Sequence, residues 1–166
     1  MEFRFTNEIP ASQVDHVVDF ALGPRLWVPD GNYPDELDWA EKAHTEIKGE
    51  VKRPMVVFDS RELVGNIIYQ RDKVDPTALE IKRISVMPSA RGRGVAGFLL
   101  RQAEIEGQRE FGTTVARGDA KVSNVPMRKF LLTQGYRIIG KADLYGLGAG
   151  EDYIYEKPLT PKSRKR

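Results

Sequence analysis

The stretch that most limits what this chain can become runs from Leu79 to Leu100. It opens as a strand through Glu80 and Ile84-Ser85-Val86, turns at Pro88-Ser89-Ala90, and enters a helix through Arg91-Gly92-Arg93-Gly94-Val95-Ala96-Gly97. Glycines at a helix start weaken the helix, but they let the backbone come close to a ligand. The first-turn N–H groups lack acceptors within the helix and the positive end of its dipole lies there, so such a turn suits a phosphate or a pyrophosphate. A capped helix with an arginine-rich turn explains the same residues without any ligand.

The rest of the chain supplies elements to pack against this one. Glu2 to Thr6 alternates like a short strand, and Ser12 caps a helix whose Val14, Val17, Val18 and Ala21 share one face, stopped by Gly23-Pro24. A second helix opens on Asp35, Glu36 and Asp38 and ends near Gly49. Met55 to Asp59 and Leu63 to Gln70 form an antiparallel hairpin, and Leu79 to Met87 a further strand. From Gly94 to about Phe111, Val95, Phe98, Leu99, Ala103 and Ile105 make an apolar stripe ended by Gly112. Thr113 to Arg117, Tyr136 to Lys141 and Asp152 to Lys157 are strands, and Asn124 to Gln134 is a helix with Met127, Phe130 and Leu131 inward. The order β-α-α-β-β-β-α-β-α-β-β predicts an α/β (α+β) mixed sheet with helices packed on it.

Composition removes several classes of function. The 166 residues, 40% hydrophobic, suffice for one domain, expected over 1–159, followed by a basic tail at 160–166. The net charge of +2 belongs to that tail: without Lys162, Arg164, Lys165 and Arg166, 22 basic residues face 24 acidic ones. A tail of four charges reads as solvated rather than as a nucleic-acid contact. With no cysteine and only His16 and His44, a disulfide framework, a thiolate metal site and a cysteine nucleophile are excluded, and no metal is expected. No apolar stretch of signal-peptide length stands at the N-terminus, so no membrane role is expected and cytoplasmic is the default.

Three phosphate motifs compete for the glycine turn. No Gly-x-x-x-x-Gly-Lys-Ser/Thr occurs. Gly92, Gly94 and Gly97 satisfy Gly-x-Gly-x-x-Gly, with Asp119 following Gly97 by 22 residues. A dinucleotide fold, however, places its first glycine almost directly after the strand of a βαβ series, whereas here five residues intervene and three strands precede without helices between them. The third motif, Arg/Gln-x-x-Gly-x-Gly/Ala, is met by Arg91 to Ala96. On that loop, on Glu80-Ile81-Lys82-Arg83-Ile84-Ser85-Val86-x-Pro, and on Asn124 with Phe130 and Gly135-Tyr136, the chain resembles the GNAT (Gcn5-related) N-acetyltransferase superfamily, a three-layer sandwich with this element order.

The resemblance implies acetyl-CoA as acyl donor and an amine, small-molecule or protein, as acceptor. It implies that Ile84, Ser85 and Val86 face pantetheine, that Arg91, Gly92, Arg93, Gly94, Val95, Ala96 and Gly97 hold the pyrophosphate, and that Asn124 joins the cofactor-binding set. It implies an N–H near Val86 placed to polarise the thioester carbonyl. Two carboxylates match positions where the family carries its catalytic base: Glu80, ranked first, whose other reading is a surface acid paired with Lys82, and Asp119, whose other reading is a turn residue. Leu131 stands where many relatives have a tyrosine that protonates the thiolate; Tyr145, Tyr153, Tyr155 or water are the substitutes. Without cysteine, direct attack in a ternary complex is the economical mechanism.

Trp27, Tyr33 and Trp39 are candidates for an acceptor wall or for core. The family often dimerises, which allows a homodimer here. Rival functions are an acyl-CoA-binding module without turnover, suggested by Leu131, and an acyltransferase acting on a nucleic-acid-associated target, suggested only by the tail.

Overall fold

In the computed structural model, residues 2–23, 36–146 and 148–159 are described. Trp27, Tyr33 and the basic tail lie outside them. The elements follow the order read from the sequence: β1 Phe3–Thr6, α1 Val14–Leu22, α2 Glu36–Lys48, β2 Lys52–Asp59, β3 Glu62–Arg71, β4 Ala78–Val86, α3 Val95–Glu106, β5 Val115–Lys121, α4 Val125–Thr133, β6 Arg137–Ala142 and β7 Asp152–Pro158.

The seven strands form one mixed sheet ordered β1-β2-β3-β4-β5-β7-β6. Val14, Val18 and Ala21 of α1 meet Ala43 and Ile47 of α2 over Ile68, while Val17 covers Val56 and Leu63. The opposite face carries Met55, Val57, Ile67, Tyr69, Leu79 and Ile81, buried under Leu99, Leu100 and Ala103 of α3 and Leu131 of α4. The result is a three-layer sandwich, with the strands alternating their side chains between two helical layers.

Three expectations need correction. Ser12 does not cap α1: it lies within a tight turn at Ala11–Gln13, and no side chain bonds the helix start. Phe98 is not part of the buried stripe: it is 44% exposed and meets Phe5 edge-on at 5.2 Å, and Leu100 is buried instead. The strand expected to end at Arg117 continues to Lys121. Gly118, Asp119 and Ala120 have low strand propensity, but pairing with Tyr155, Ile154 and Tyr153 of β7 holds them extended. The long central helix widens at Gly107–Phe111 and is closed by Gly112, at φ 67°.

Helix α3 is set where it stands by close packing. A Cβ on Gly65 of β3 would lie 2.8 Å from Val95 Cγ1, so the start of α3 can approach the sheet only over a glycine. Behind it, Tyr136 is buried and donates to Glu104 at 2.9 Å, and Lys157 holds the same carboxylate at 2.9 and 2.8 Å. The Gly135-Tyr136 pair is thus structural, tying α3 to the end of α4.

Candidate active site

Strand β4 stays with β3 throughout but leaves β5 early. Its parallel pairing with β5 covers only Ala78↔Val115, Leu79↔Ala116 and Glu80↔Arg117. Beyond that, β4 follows β3 to Gly65↔Val86 while β5 follows β7 to Lys121↔Asp152, so the two strands diverge toward their carboxyl ends. A bulge marks the start of the divergence: Tyr69 and Ile68 are adjacent, yet they face Ile81 and Arg83, leaving Lys82 as the extra residue. Such bulges bend a strand and re-aim its groups.

The divergence leaves main-chain groups of β4 facing an opening. Met87 N–H reaches Val64 O at 2.8 Å. Because successive main-chain groups of a strand alternate in direction, the N–H of Val86 and that of Ile84 point the other way, toward the absent β5 ladder. Ile84 and Val86 side chains pack against the core under α3, and Ser85 is buried.

At the mouth of the opening stands the glycine turn. Gly92 and Gly94 have φ of 71° and 82°, a left-handed backbone that side chains rarely adopt, and a Cβ on either would project into open space. Gly94 caps α3 without any side-chain bond, and the first helical bond is Phe98 N–H to Gly94 O at 2.9 Å. Among the described residues, the amides of Gly92 and Gly94 have no main-chain acceptor. Those of Val95, Ala96 and Gly97 lack one by their place in the first turn. These are outward-facing donors at the positive end of a helix, the arrangement that receives an anion. Arg91 is tied back through Nε to Val86 O at 3.0 Å, and Arg93 lies over the Phe3 ring at 4.7 Å. Asn124 caps α4, its Oδ1 accepting from Met127 N–H at 3.2 Å.

A family model described as "Acetyltransferase (GNAT) family" matches residues 17–136, a span that contains the diverging strands and the glycine turn. The chain belongs to the GNAT acetyltransferase family. It is therefore an N-acetyltransferase, and acetyl-CoA is its acyl donor. No curated protein matches the sequence. Among solved structures, one of a GNAT-family acetyltransferase from Desulfovibrio desulfuricans superposes with a TM-score of 0.74 at 16% identity, covering 96% of this chain and 100% of that one. The paia N-acetyltransferase of Thermoplasma acidophilum, solved with coenzyme A, gives 0.72 at 16% identity, covering 95% and 99%. The ribosomal-protein-S18-alanine N-acetyltransferase of Escherichia coli gives 0.67 at 14% identity, covering 99% and 99%. At these identities the likeness is one of fold. The short Gly-x-Gly-x-x-Gly match is no dinucleotide signature, as the preceding strands implied: the sheet is mixed, and β2, β3 and β4 follow one another as antiparallel neighbours.

In this acetyltransferase the two candidate carboxylates sit on one face of the sheet on either side of the opening, in different settings. Glu80 is engaged at both oxygens, by Gln70 Nε2 at 2.7 Å and Lys82 Nζ at 2.7 Å. Asp119 accepts from the Tyr145 hydroxyl at 3.1 Å. Its carboxyl is held above the usual aspartate range, first by burial, with the Tyr145 hydrogen bond opposing the rise and Asp152 adding to it; Lys82 and Glu80 act on it with opposite signs. The pairing of Glu80 with Lys82 was legible at a spacing of two residues; Gln70 was not, because its role depends on register across β3.

The acetyltransferase keeps no phenol at position 131, since Leu131 is buried in the core. Of the three substitutes, Tyr153 lies under Arg128 at 4.8 Å, Tyr155 is fully buried, and Tyr145 alone is bonded to a candidate base. Trp39 packs beside α1 with Arg83 over its ring at 5.4 Å. Sequence reasoning missed Lys121 and Asp152, a buried pair at 2.8 Å beside Tyr145, because the strand seemed to stop before Lys121. The only signal was an isolated lysine two residues after Asp119. Among the described residues, no helix is long and apolar enough to cross a membrane.

Proposed function

We propose that this acetyltransferase moves an acetyl group to an amine by direct attack within a ternary complex, residues 1–159 acting as one catalytic domain. The observation that carries the reading is the opening between β4 and β5 with unpaired main-chain donors on one side and outward amides of the glycine turn at its mouth. Ile84, Ser85 and Val86 line the pantetheine arm, the Arg91–Gly97 turn takes the pyrophosphate, and Asn124 at the start of α4 flanks it.

Acetyl-CoA supplies an activated carbonyl and a thiolate leaving group. The Val86 N–H donates toward the carbonyl oxygen as negative charge builds there, an effect worth roughly 3–4 kcal/mol where such donors are preorganised. Asp119 accepts the proton of the attacking nitrogen, because burial makes its carboxylate a stronger base than an exposed one. Glu80, fixed by Gln70 and Lys82, orients the amine and is the alternative base. With no cysteine in the chain, no acyl-thiol intermediate forms on a cysteine.

Calorimetry tests the donor and initial-rate kinetics the mechanism. Saturable acetyl-CoA binding and intersecting double-reciprocal lines with an amine acceptor are expected. A stable acetyl-enzyme trapped without acceptor, with parallel lines, refutes direct attack. The acceptor is an amine on a small molecule or on a protein. A thermal-shift screen of both kinds in the presence of CoA identifies it.

A further inference from the structure

We propose that Asp119 and Tyr145 form a proton relay in this acetyltransferase, with the buried Lys121–Asp152 pair as its positioning element. The proposal rests on the reading above, that an amine is acetylated at the β4–β5 opening.

Four groups from three parts of the chain meet here. Asp119 and Lys121 are two residues apart on β5 and so share a face. Tyr145 comes from the connection between β6 and β7, and Asp152 opens β7 opposite Lys121. The Tyr145 hydroxyl donates to Asp119 Oδ2 at 3.1 Å, and Lys121 Nζ lies 4.6 Å from the centre of the Tyr145 ring. Lys121 in turn donates to Asp152 Oδ2 at 2.8 Å and to Gly150 O at 3.1 Å, the latter anchoring the connection that carries Tyr145. Val122 N–H to Glu151 O at 3.0 Å fixes the same connection from the backbone.

The burial of the ion pair is informative. Lys121 is 1% exposed and Asp152 fully buried. Such a pair seldom stabilises a fold more than apolar residues of the same size would. What it accomplishes at this place is a fixed positive charge against a phenol ring that faces a candidate base. A cation over the ring favours the tyrosinate over the neutral phenol.

The chemistry then balances. The acceptor ammonium releases one proton to solvent before attack. The amine lone pair forms the C–N bond, and the C–S bond breaks with its electron pair leaving on sulfur. Asp119 takes the proton from the attacking nitrogen, and Tyr145 gives its hydroxyl proton to the departing thiolate. Asp119 next returns its proton across the 3.1 Å contact to the Tyr145 oxygen, so the protein ends the turnover unchanged. This gives the thiolate a donor from the β6–β7 connection, where position 131 offers none. The charges acting on Asp119 are Asp152 from β7 and Lys82 and Glu80 from β4; Lys121, on its own strand, is turned to Asp152.

Tyr145→Phe, Lys121→Met and Lys121→Arg test it, with acetyl-CoA affinity by calorimetry and folding by circular dichroism measured on each. Tyr145→Phe is expected to lower kcat about 100-fold at unchanged acetyl-CoA affinity, the size of a lost proton-transfer assist. Independently of turnover, ultraviolet titration of the free protein against Tyr145→Phe isolates the ionisation of Tyr145. Lys121→Met should move it to higher pH and lower kcat about tenfold, and Lys121→Arg should restore both. A Tyr145→Phe protein that binds acetyl-CoA and turns over near the wild-type rate overturns the relay. So does a folded Lys121→Met protein in which the titration does not move, or activity lost in Tyr155→Phe and kept in Tyr145→Phe. Failure of the wild type to bind acetyl-CoA instead removes the reading of the opening on which the relay depends.

Discussion

Strand β4 has two neighbours, and they hold it in opposite ways. With β3 it shares seven register positions, with β5 only three. The closed flank is built of Ile67, Ile68 and Tyr69 against Ile81 and Ile84, residues that fit a half-buried pleat, and a helix layer seals each side. The open flank has Lys82 bulging from one strand and Gly118-Asp119-Ala120 on the other. Those weak strand formers stay extended because β7 holds them and because Lys121 is tied to Asp152. The closed flank carries the longer pairing, and the open flank is kept open by pairing each strand elsewhere.

The sharpest test of that contrast compares Asp119→Asn with Glu80→Gln. Asp119→Asn should lower kcat between about 100- and 10,000-fold, the range of a lost general base, while Glu80→Gln costs at most about tenfold. The reverse order makes Glu80 the base. Stability should move the other way. Folding raises the Asp119 carboxyl above its unfolded value, so its favourable contribution exists only below that value and is lost as pH rises through the folded one. Above the folded value the half-buried carboxylate is a burden, and there Asp119→Asn should raise Tm by about 1–3 °C while lowering kcat. An unchanged or lower Tm means the Tyr145 hydrogen bond outweighs the burial.

Next in size is the mouth of the opening. Gly94 has φ of 82°, where a side chain costs about 1–2 kcal/mol, and a carboxylate there repels a phosphate as well. Gly94→Glu should weaken acetyl-CoA binding about 100-fold by calorimetry and, through the backbone strain alone, lower Tm by roughly 2–8 °C, although a Cβ at this position meets open space.

What could be read from the sequence divides along the same line. The conformation of the glycine turn was legible because Gly92 and Gly94 hold a left-handed backbone that other residues rarely adopt. Val14, Val17, Val18 and Ala21 announced the α1 face because helical periodicity is local. The open flank was half visible: Ile84 to Val86 were placed correctly on a strand, but divergence from β5 is a relation between distant segments that no local pattern encodes. Gln70 holding Glu80, and Lys121 holding Asp152, exist only through register. The break expected at Arg117 shows the cost of reading propensity alone, since pairing with β7 overrides it. Phe98 failed differently: the 3.6-residue period put it in the buried stripe, but its side chain stands 44% exposed and meets Phe5 edge-on.

On the closed flank, Gly65→Ala places a Cβ 2.8 Å from Val95 Cγ1, and a β-branched neighbour held in the core gives way poorly. A destabilisation of about 1–3 kcal/mol is expected from denaturant unfolding, as for other overpacked cores. Because Val95 begins α3, acetyl-CoA affinity should also fall, but less than in Gly94→Glu. Affinity lost without any loss of stability would mean that the turn, not the packing beneath it, moves first.

The smallest effect expected comes from Lys52, on β2 opposite Gln70. It is buried and paired with Glu46 of α2, which also takes Lys73. Burial, helped by the positive charges of Lys82, Lys73 and Lys42, pushes its ammonium down to about 8. A lysine depressed by folding contributes its full stability above the unfolded value of 10.5 and loses it as pH falls through about 8. Lys52→Met should therefore flatten the dependence of Tm on pH across that window and raise Tm modestly below it, by about 1–2 °C. The slope should vanish on the closed flank while the pH profile of turnover, set across the opening by Asp119, keeps its shape. A profile that shifts with Lys52→Met would show the two flanks to be electrically joined through Gln70 and Glu80.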